Sequence, residues 1–309
     1  ALKQLPGGTI PIQPAPNPFD TLLPFLANVR GAVKLQTLAI ISEAMEGRTD
    51  QLAEDVATSR RIGALVSKQP TLISSLVAVA CDSLTVSTIE RVCSLTEPAP
   101  TTLKYVEEIL LDIEKEDPFY WGLLGERAMF LNMADRSLKR GLPPTQGIPA
   151  RSRLPILRGM GHRDVAAGLD LFNQVTAVLN EPQARAAVAD NLDRQVLNLP
   201  RYYVFTRNVM PSLKRACRLA LSRTAELRCA LTGLAIERYR QATGRFPDDL
   251  VDLVPVYLPK VLLDPFDAAP LRYKATESGF IIYSIGDDKE DQGGDVAKTP
   301  GQPRRDVGF

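Results

Sequence analysis

The side chains best placed to do chemistry crowd into one short stretch, Gly286-Asp287-Asp288-Lys289-Glu290-Asp291-Gln292-Gly293-Gly294-Asp295. Asp287, Asp288, Asp291 and Asp295 lie within nine residues, and the glycines let the chain bend around whatever they face. Calcium takes roughly six to eight oxygens at about 2.3–2.6 Å, from carboxylates, backbone carbonyls and water, and a loop of this composition can wrap it. It is not an EF-hand, because the D-x-[DN]-x-[DN]-G spacing and the closing Glu are missing. The stretch also reads as a solvated acidic turn, and the spacing leaves both readings open.

Elsewhere the chemistry is thin. The one histidine, His162, follows Gly159-Met160-Gly161 and reads as an exposed loop residue beside a helix start. A single histidine excludes H-E-x-x-H and leaves little room for a histidine-rich zinc site or a Ser-His-Asp triad. The Gly-Met-Gly lacks the third glycine and the preceding strand of a dinucleotide fingerprint, and no P-loop sequence is present. Glu107, Glu108, Asp112, Glu114, Glu116 and Asp117 are the densest carboxylates. They read as a solvated helix face interleaved with Lys104 and Lys115, the alternative being a paired-carboxylate hydrolase site. Glu43, Glu46, Asp50, Glu54 and Asp55 read as the outside of a first helical hairpin. No catalytic or cofactor-binding residue stands out, so the chain reads as a non-enzyme.

The composition sets the bounds. The 309 residues are 45% apolar and 24% charged, an ordinary globular composition with room for one large or two ordinary domains. Thirty-seven basic against 36 acidic residues make no field that would draw nucleic acid or an acidic membrane. The longest uninterrupted apolar run, Leu76 to Cys81, is too short to span a bilayer. Ala1 reads as following a removed leader or anchor. Cys81 and Cys93, and again Cys217 and Cys229, are twelve positions apart on expected helices, about 18 Å along the axis, too far to bridge. Any disulfide must therefore join the first pair to the second, the alternative being four small buried apolar groups.

These residues need elements to position them. Residues 1–18, with Pro6, Pro11, Pro14, Pro16, Pro18 and Gly7-Gly8, read as an extended arm or linker. Residues 19–210 read as a helical domain, with helices ending at Gly47, Pro70, Leu95, Glu116 and Leu138. A proline-rich and glycine-rich crossing loop follows over Gly141 to Arg158, then helices over Asp164 to Asn180 and Pro182 to Leu199. Residues 211–309 begin with a long helix whose first position is Pro211. Its apolar stripe runs Leu213, Cys217, Ala220, Thr224, Leu227, Leu231 and Leu234, with Lys214, Arg215, Arg218, Arg223 and Arg228 mostly off it, and it stops at Gly244. A short helix from Asp248 to Val254 and a hairpin of Leu271-Arg272-Tyr273-Lys274 with Phe280-Ile281-Ile282-Tyr283-Ser284 complete the pattern. The expected fold is mostly α: a helical-hairpin bundle or solenoid, then a long helix and a small antiparallel β-sheet. The first half of that helix is expected to pack into the helical region and the second half to carry the sheet.

The ordered stretches ALTGLAIERYRQATGRFPDDLVDLV, LPKVLLDPFDAAPLRYK and GFIIYSIGDDKEDQGG resemble the globular part of the major pseudopilins of type II secretion systems. The resemblance covers about the last quarter of the chain. It implies a long helix, an R-[FY]-P turn, a D-P-[FW] element, and a small sheet with a calcium loop just after the Tyr283-Ser284 strand. It also implies closure of that loop by an aspartate near the C-terminus, matched here by Asp306. The chain as a whole is similar to exported bacterial proteins that join a helical region to such a module. Export, a periplasmic or membrane-anchored location and protein partners in the cell envelope follow as expectations, with membrane contact only through a removed N-terminal anchor. In an exported protein, disulfides from Cys81 or Cys93 to Cys217 or Cys229 are then expected. A pseudopilin's long helix starts as an apolar membrane segment. Here the start is Ser212-Leu213-Lys214-Arg215-Ala216-Cys217-Arg218, so pilus-like assembly is not expected.

The leading functional expectation is a non-enzymatic envelope protein acting in assembly or scaffolding. The second is a helical-repeat module binding a peptide or glycan in a groove lined by Trp121, Tyr120, Phe130 or Tyr202. The third is a hydrolase using carboxylates alone.

Overall fold

The computed structural model describes residues 8, 10–13, 23–140, 155–276, 279–295 and 306–309. Its helices are α1 (Phe25–Met45), α2 (Leu52–Ser67), α3 (Leu72–Leu95), α4 (Pro100–Lys115), α5 (Pro118–Arg140), α6 (Pro155–Ala177), α7 (Pro182–Asn198) and α8 (Val204–Thr243). A 3₁₀ turn over Leu250–Leu253 leads to β1 (Arg272–Ala275), β2 (Phe280–Ser284) and β3 (Val307–Gly308), an antiparallel sheet in the order β1-β2-β3. The protein is mostly helical with a small C-terminal sheet, the fold class its periodicity predicts.

Two helices form the axis of the bundle. Helix α3 packs against α1, α2, α5 and α8. Its mean hydropathy, 1.7 over the most apolar window, would let it cross a membrane by length and composition, which the short apolar run did not suggest. In this fold 61% of that window is buried among neighbouring helices. Its first turn is capped twice: Thr71 Oγ1 accepts from the Ser74 amide at 3.2 Å, and Glu126 Oε1 of α5 accepts from the Leu72 amide at 3.3 Å. Burial pushes the Glu126 carboxyl above the usual carboxylate range.

Helix α8 is the second axis, and it starts earlier than the sequence predicts. Pro211 lies inside a 40-residue helix, about 60 Å long. A boundary between residues 210 and 211 therefore cuts through one element. Proline there removes one helical hydrogen bond and crowds the preceding turn. The start at Val204 is held from outside, by Asp164 of α6. Its Oδ2 accepts from the Phe205 amide at 2.8 Å and its Oδ1 from the Thr206 amide at 3.0 Å, while Thr206 Oγ1 donates to its backbone carbonyl at 2.7 Å. Helix α6 also begins earlier, at Pro155, so His162 is an exposed helical residue and not a loop residue. The expected crossing loop over residues 141–154, and the arm over 1–18 apart from Gly8 and residues 10–13, lie outside the described residues. Within the arm, Ile10 is tied to α2 and its end, donating to the Leu65 carbonyl at 3.3 Å and accepting from Gln69 Nε2 at 2.8 Å.

Residues Cys229 to Ile236 of α8 are buried without interruption, because opposite faces of the same turns enter different cores. Leu227, Ala230, Leu231 and Leu234 join a core with α1, α2, α3 and α4. Cys229, Ala235, Ile236 and Tyr239 join the sheet core with Leu250, Leu253, Leu258, Leu271 and Ile282. The first half, from Phe205 to Ala220, packs with α3, α5, α6 and α7. The second half thus carries the sheet, as expected, and also finishes the helical bundle. At Gly233 an added Cβ would lie 2.3 Å from the Phe309 ring, so the last residue reaches the helix only because that position has no side chain.

The expected disulfides are absent, and all four cysteines are free thiols. Cys81 lies in the α1–α2–α3 core, Cys217 in the core around the first half of α8, and Cys229 in the sheet core, while Cys93 packs on the α3–α4 core. Packing into separate cores keeps them apart, leaving the role of small apolar groups. Burial raises the Cys81 and Cys93 thiols to about 12.

The acidic face of α4 is less solvated than its spacing suggests. Glu107 pairs with Arg238, Glu114 Oε1 with Arg228 Nε at 2.8 Å, and Asp117 Oδ2 with Arg185 Nη2 at 2.6 Å. Asp55, expected on the outside of the first hairpin, is buried and accepts from Gln36 Nε2 at 3.1 Å. Arg223 is also buried, 5% exposed; its Nε donates to Asp82 Oδ2 at 2.7 Å and its Nη2 donates to the Ile113 carbonyl at 2.6 Å. Arg223→Met strands a buried aspartate, and urea denaturation is expected to show a loss of about 3–5 kcal/mol, much of it recovered when Asp82→Leu is added.

Glu126 gives a pH signature. A carboxyl raised in the fold contributes stability that is full below its unfolded value, ~4.3, and is lost as pH rises through its folded value. Over that window wild-type stability should fall relative to Glu126→Gln, whose amide oxygen still accepts from Leu72. Urea midpoints across a pH series check this.

Candidate functional site

The sheet end of the molecule is assembled on one aspartate. Asp264 is fully buried. Its Oδ1 accepts from the Phe266 amide and Ser284 Oγ, both at 2.9 Å, and its Oδ2 from the Ile285 amide at 3.0 Å and Arg272 Nη1 at 2.9 Å. Pro265 favours this local turn by fixing its own φ and restricting Asp264 to extended backbone. One carboxylate thereby joins the D-P-F turn, β1 and the end of β2. Arg272 also forks onto Asp267, whose Oδ1 takes the Ala269 amide at 3.0 Å. The antiparallel hairpin forms as the sequence pattern predicts, in the register Arg272 opposite Tyr283 through Ala275 opposite Phe280. Beyond β3, Phe309 exchanges backbone hydrogen bonds with Ile282 at 2.9 and 3.2 Å. The short helix expected over Asp248 to Val254 is the 3₁₀ turn, opened by a capping box of Asp249 and Asp252.

The acidic loop follows directly. Asp287 Oδ2 takes Arg218 Nη1 of α8 at 2.5 Å, and Lys289 Nζ donates to Asp190 of α7 at 2.6 Å. Asp288 folds onto its own turn, accepting from the Glu290 amide at 3.1 Å and Gln292 Nε2 at 2.9 Å. Asp291 Oδ1 accepts from the Gly293 amide at 2.8 Å and the Tyr283 hydroxyl at 3.0 Å. The Gly293 amide, helped by Tyr283, Arg272 and Lys274, holds its carboxyl below the usual range. Burial, then the Asp291 hydrogen bond, raises the Tyr283 phenol to about 12. Asp306 Oδ2 accepts from the Gly294 amide at 2.7 Å. Its other oxygen is buried and has no partner among the described residues, and the residue as a whole is 4% exposed. Asp295 is exposed.

The five candidate ligands are therefore not gathered around one point. Asp287 and Asp288 are engaged by side chains and amides of their own. Asp291 and Asp306 do converge, on the neighbouring amides of Gly293 and Gly294 beside Tyr283. Among the described residues, no three His, Cys, Asp or Glu side chains come close enough to hold a metal ion. The four aromatics expected to line a peptide or glycan groove are placed differently from one another. Phe130 is buried in the core, while Tyr120 and Trp121 make an exposed edge-on pair at the start of α5, and Tyr202 stacks edge-on with Tyr203 before α8. The spacing revealed the loop and the hairpin. It did not reveal Asp264 as their anchor, for which the only local signal is an aspartate preceding proline.

Comparison with protein-family models, curated proteins and solved structures finds no match for this chain. The likeness to pseudopilins rests on the motifs that carry it.

Asp264→Asn puts an NH₂ against backbone donors and removes the charge facing Arg272, so a loss of roughly 3–5 kcal/mol is expected in denaturant melts. Asp291 has the opposite sign to Glu126. Its contribution is present above the unfolded value, ~3.9, and is lost as pH falls through the lower folded one. The Gly293 amide resonance should titrate below ~3.9 and stay flat in Asp291→Asn.

Proposed function

We propose that this protein is a non-enzymatic, exported component of the bacterial cell envelope with an assembly or scaffolding role, and that calcium clips its pseudopilin-like module at the C-terminal loop. The observation carrying the reading is the course of α8. The stretch that would be a membrane stem in a pseudopilin runs through a helical core here, with Asp164 holding its start and Arg223 buried against Asp82. The helix is an internal strut and not a fibre stem. Its partners are other envelope proteins, met on the outside of the bundle and module.

Two features of the loop support calcium. Asp306 presents a buried carboxylate oxygen with no donor among the described residues, and Asp291, beside it, is held ionised. These two carboxylates with loop carbonyls and water suit a hard cation, whereas Asp287 and Asp288 have other partners. Bound there, calcium supplies the positive charge the Asp306 oxygen otherwise lacks, tying the loop to β3.

In melting experiments calcium is expected to stabilise the wild type, by about 2.7 kcal/mol at a hundredfold excess over Kd. Asp306→Asn should abolish that response and Asp287→Asn should retain it. Superimposable wild-type curves in chelator and in millimolar calcium would remove the clip from the proposal. The location is tested separately, by osmotic-shock fractionation of cells expressing the natural gene. The protein should leave with the periplasm or stay with the membranes, and a purely cytoplasmic protein overturns the envelope reading.

A further inference from the structure

We propose that the end of the bundle where α8 starts and α7 stops is a membrane-surface site, which seats the protein on anionic phospholipid headgroups. Contact with a membrane then does not depend on an N-terminal anchor.

Hydrogen bonds between elements bring this end together. Asp164 of α6 holds the Phe205 and Thr206 amides, so Arg163 lies beside the turn that carries Arg201 and Tyr202. Arg207 Nη1 donates to the Val196 and Leu199 carbonyls, both at 3.1 Å, which sets the last turns of α7 against the start of α8. Arg194 and Leu197 belong to those turns and, three residues apart, share a helix face.

Three features converge there. The first is a set of cations without counter-charges. Arg163, Arg194 and Arg201 are exposed, and no carboxylate pairs with them among the described residues. Arg207 is held by carbonyls, which orient its charge without cancelling it. Of the local acids, Asp164 is buried on backbone amides, Asp193 pairs with Lys214, and Asp170 lies two turns farther along α6. The second is exposed apolar surface beside those cations. Leu197 is 72% exposed and Tyr202 50% exposed, with Tyr203 braced edge-on against the Tyr202 ring at 5.2 Å. A leucine so placed gains little against a nucleic acid or an acidic peptide. At a bilayer it enters the acyl boundary, while tyrosines sit at headgroup level and arginines fork onto the phosphates. The third is the segregation of charge along α8. Apart from Asp193, the acids of other elements that pair with this helix meet it at Arg218 or beyond. The near-zero net charge of the chain therefore conceals a basic end.

The test is co-sedimentation of the full chain with vesicles of phosphatidylcholine alone and of phosphatidylcholine mixed with phosphatidylglycerol. The mixed vesicles should bind at least ~10-fold more tightly, and the advantage should shrink as salt rises. Arg163→Glu and Arg201→Glu should each weaken binding to the mixed vesicles by about 10-fold, with melting temperature unchanged, while the remote control Arg91→Glu leaves binding as it is. Leu197→Ser should weaken vesicle binding several-fold without altering retention on a polyanion column. Equal binding to both kinds of vesicle, or equal weakening by Arg91→Glu, overturns the proposal. So does an unchanged vesicle affinity in Leu197→Ser together with tighter binding to a short DNA duplex or an acidic peptide, which would give the basic end to that partner.

Discussion

A long helix buried on nearly every side must dispose of the charges it carries, and the rest of this structure is arranged around that need. Each cation of α8 that turns inward meets a different neighbour. Arg207 donates to the Val196 and Leu199 carbonyls at the end of α7, Lys214 reaches Asp193, and Arg218 reaches Asp190 and Asp287. Farther along, Arg223 meets Asp82, Arg228 meets Glu114, Arg238 meets Glu107, and Arg240 bridges Glu97 and Glu237. An unpaired buried charge costs several kcal/mol, so these pairs act chiefly as constraints on position. Turning the helix by one residue, ~100°, would break them together. Apolar contacts alone, being non-directional, would tolerate such slippage far better.

The sheet end repeats the device with the signs reversed. There a buried anion, Asp264, gathers amides, a hydroxyl and a guanidinium from segments that are separate in sequence. The two systems meet at the acidic loop, where Arg218 and Lys289 link α8, α7 and the residues after β2 through Asp190 and Asp287. Part of the acidity that suggested a metal is spent on this latch.

The elements were largely legible in the sequence, their partners less so. Helix periodicity, the Gly244 stop and the alternating strands are local, and local propensity decides them. Pro211 misled because proline favours a first helical turn, whereas the actual start is fixed by Asp164, some forty residues upstream in sequence. The carboxylates of α4 looked solvated because their spacing fits an exposed face, and their burial depends on arginines more than a hundred residues away. The spacing of the cysteines allows clasps between helices, and their separation into different cores depends on tertiary packing.

The passage of α8 through both cores also has a mechanical meaning. Its lateral ties stand across the helix axis, spread along ~60 Å of rod. A pull along that axis would load them side by side, in shear, so that they resist together. A pull that peeled the sheet away would load them in succession. A component mounted so that tension runs along α8 would be stiff in that direction and comparatively yielding across it.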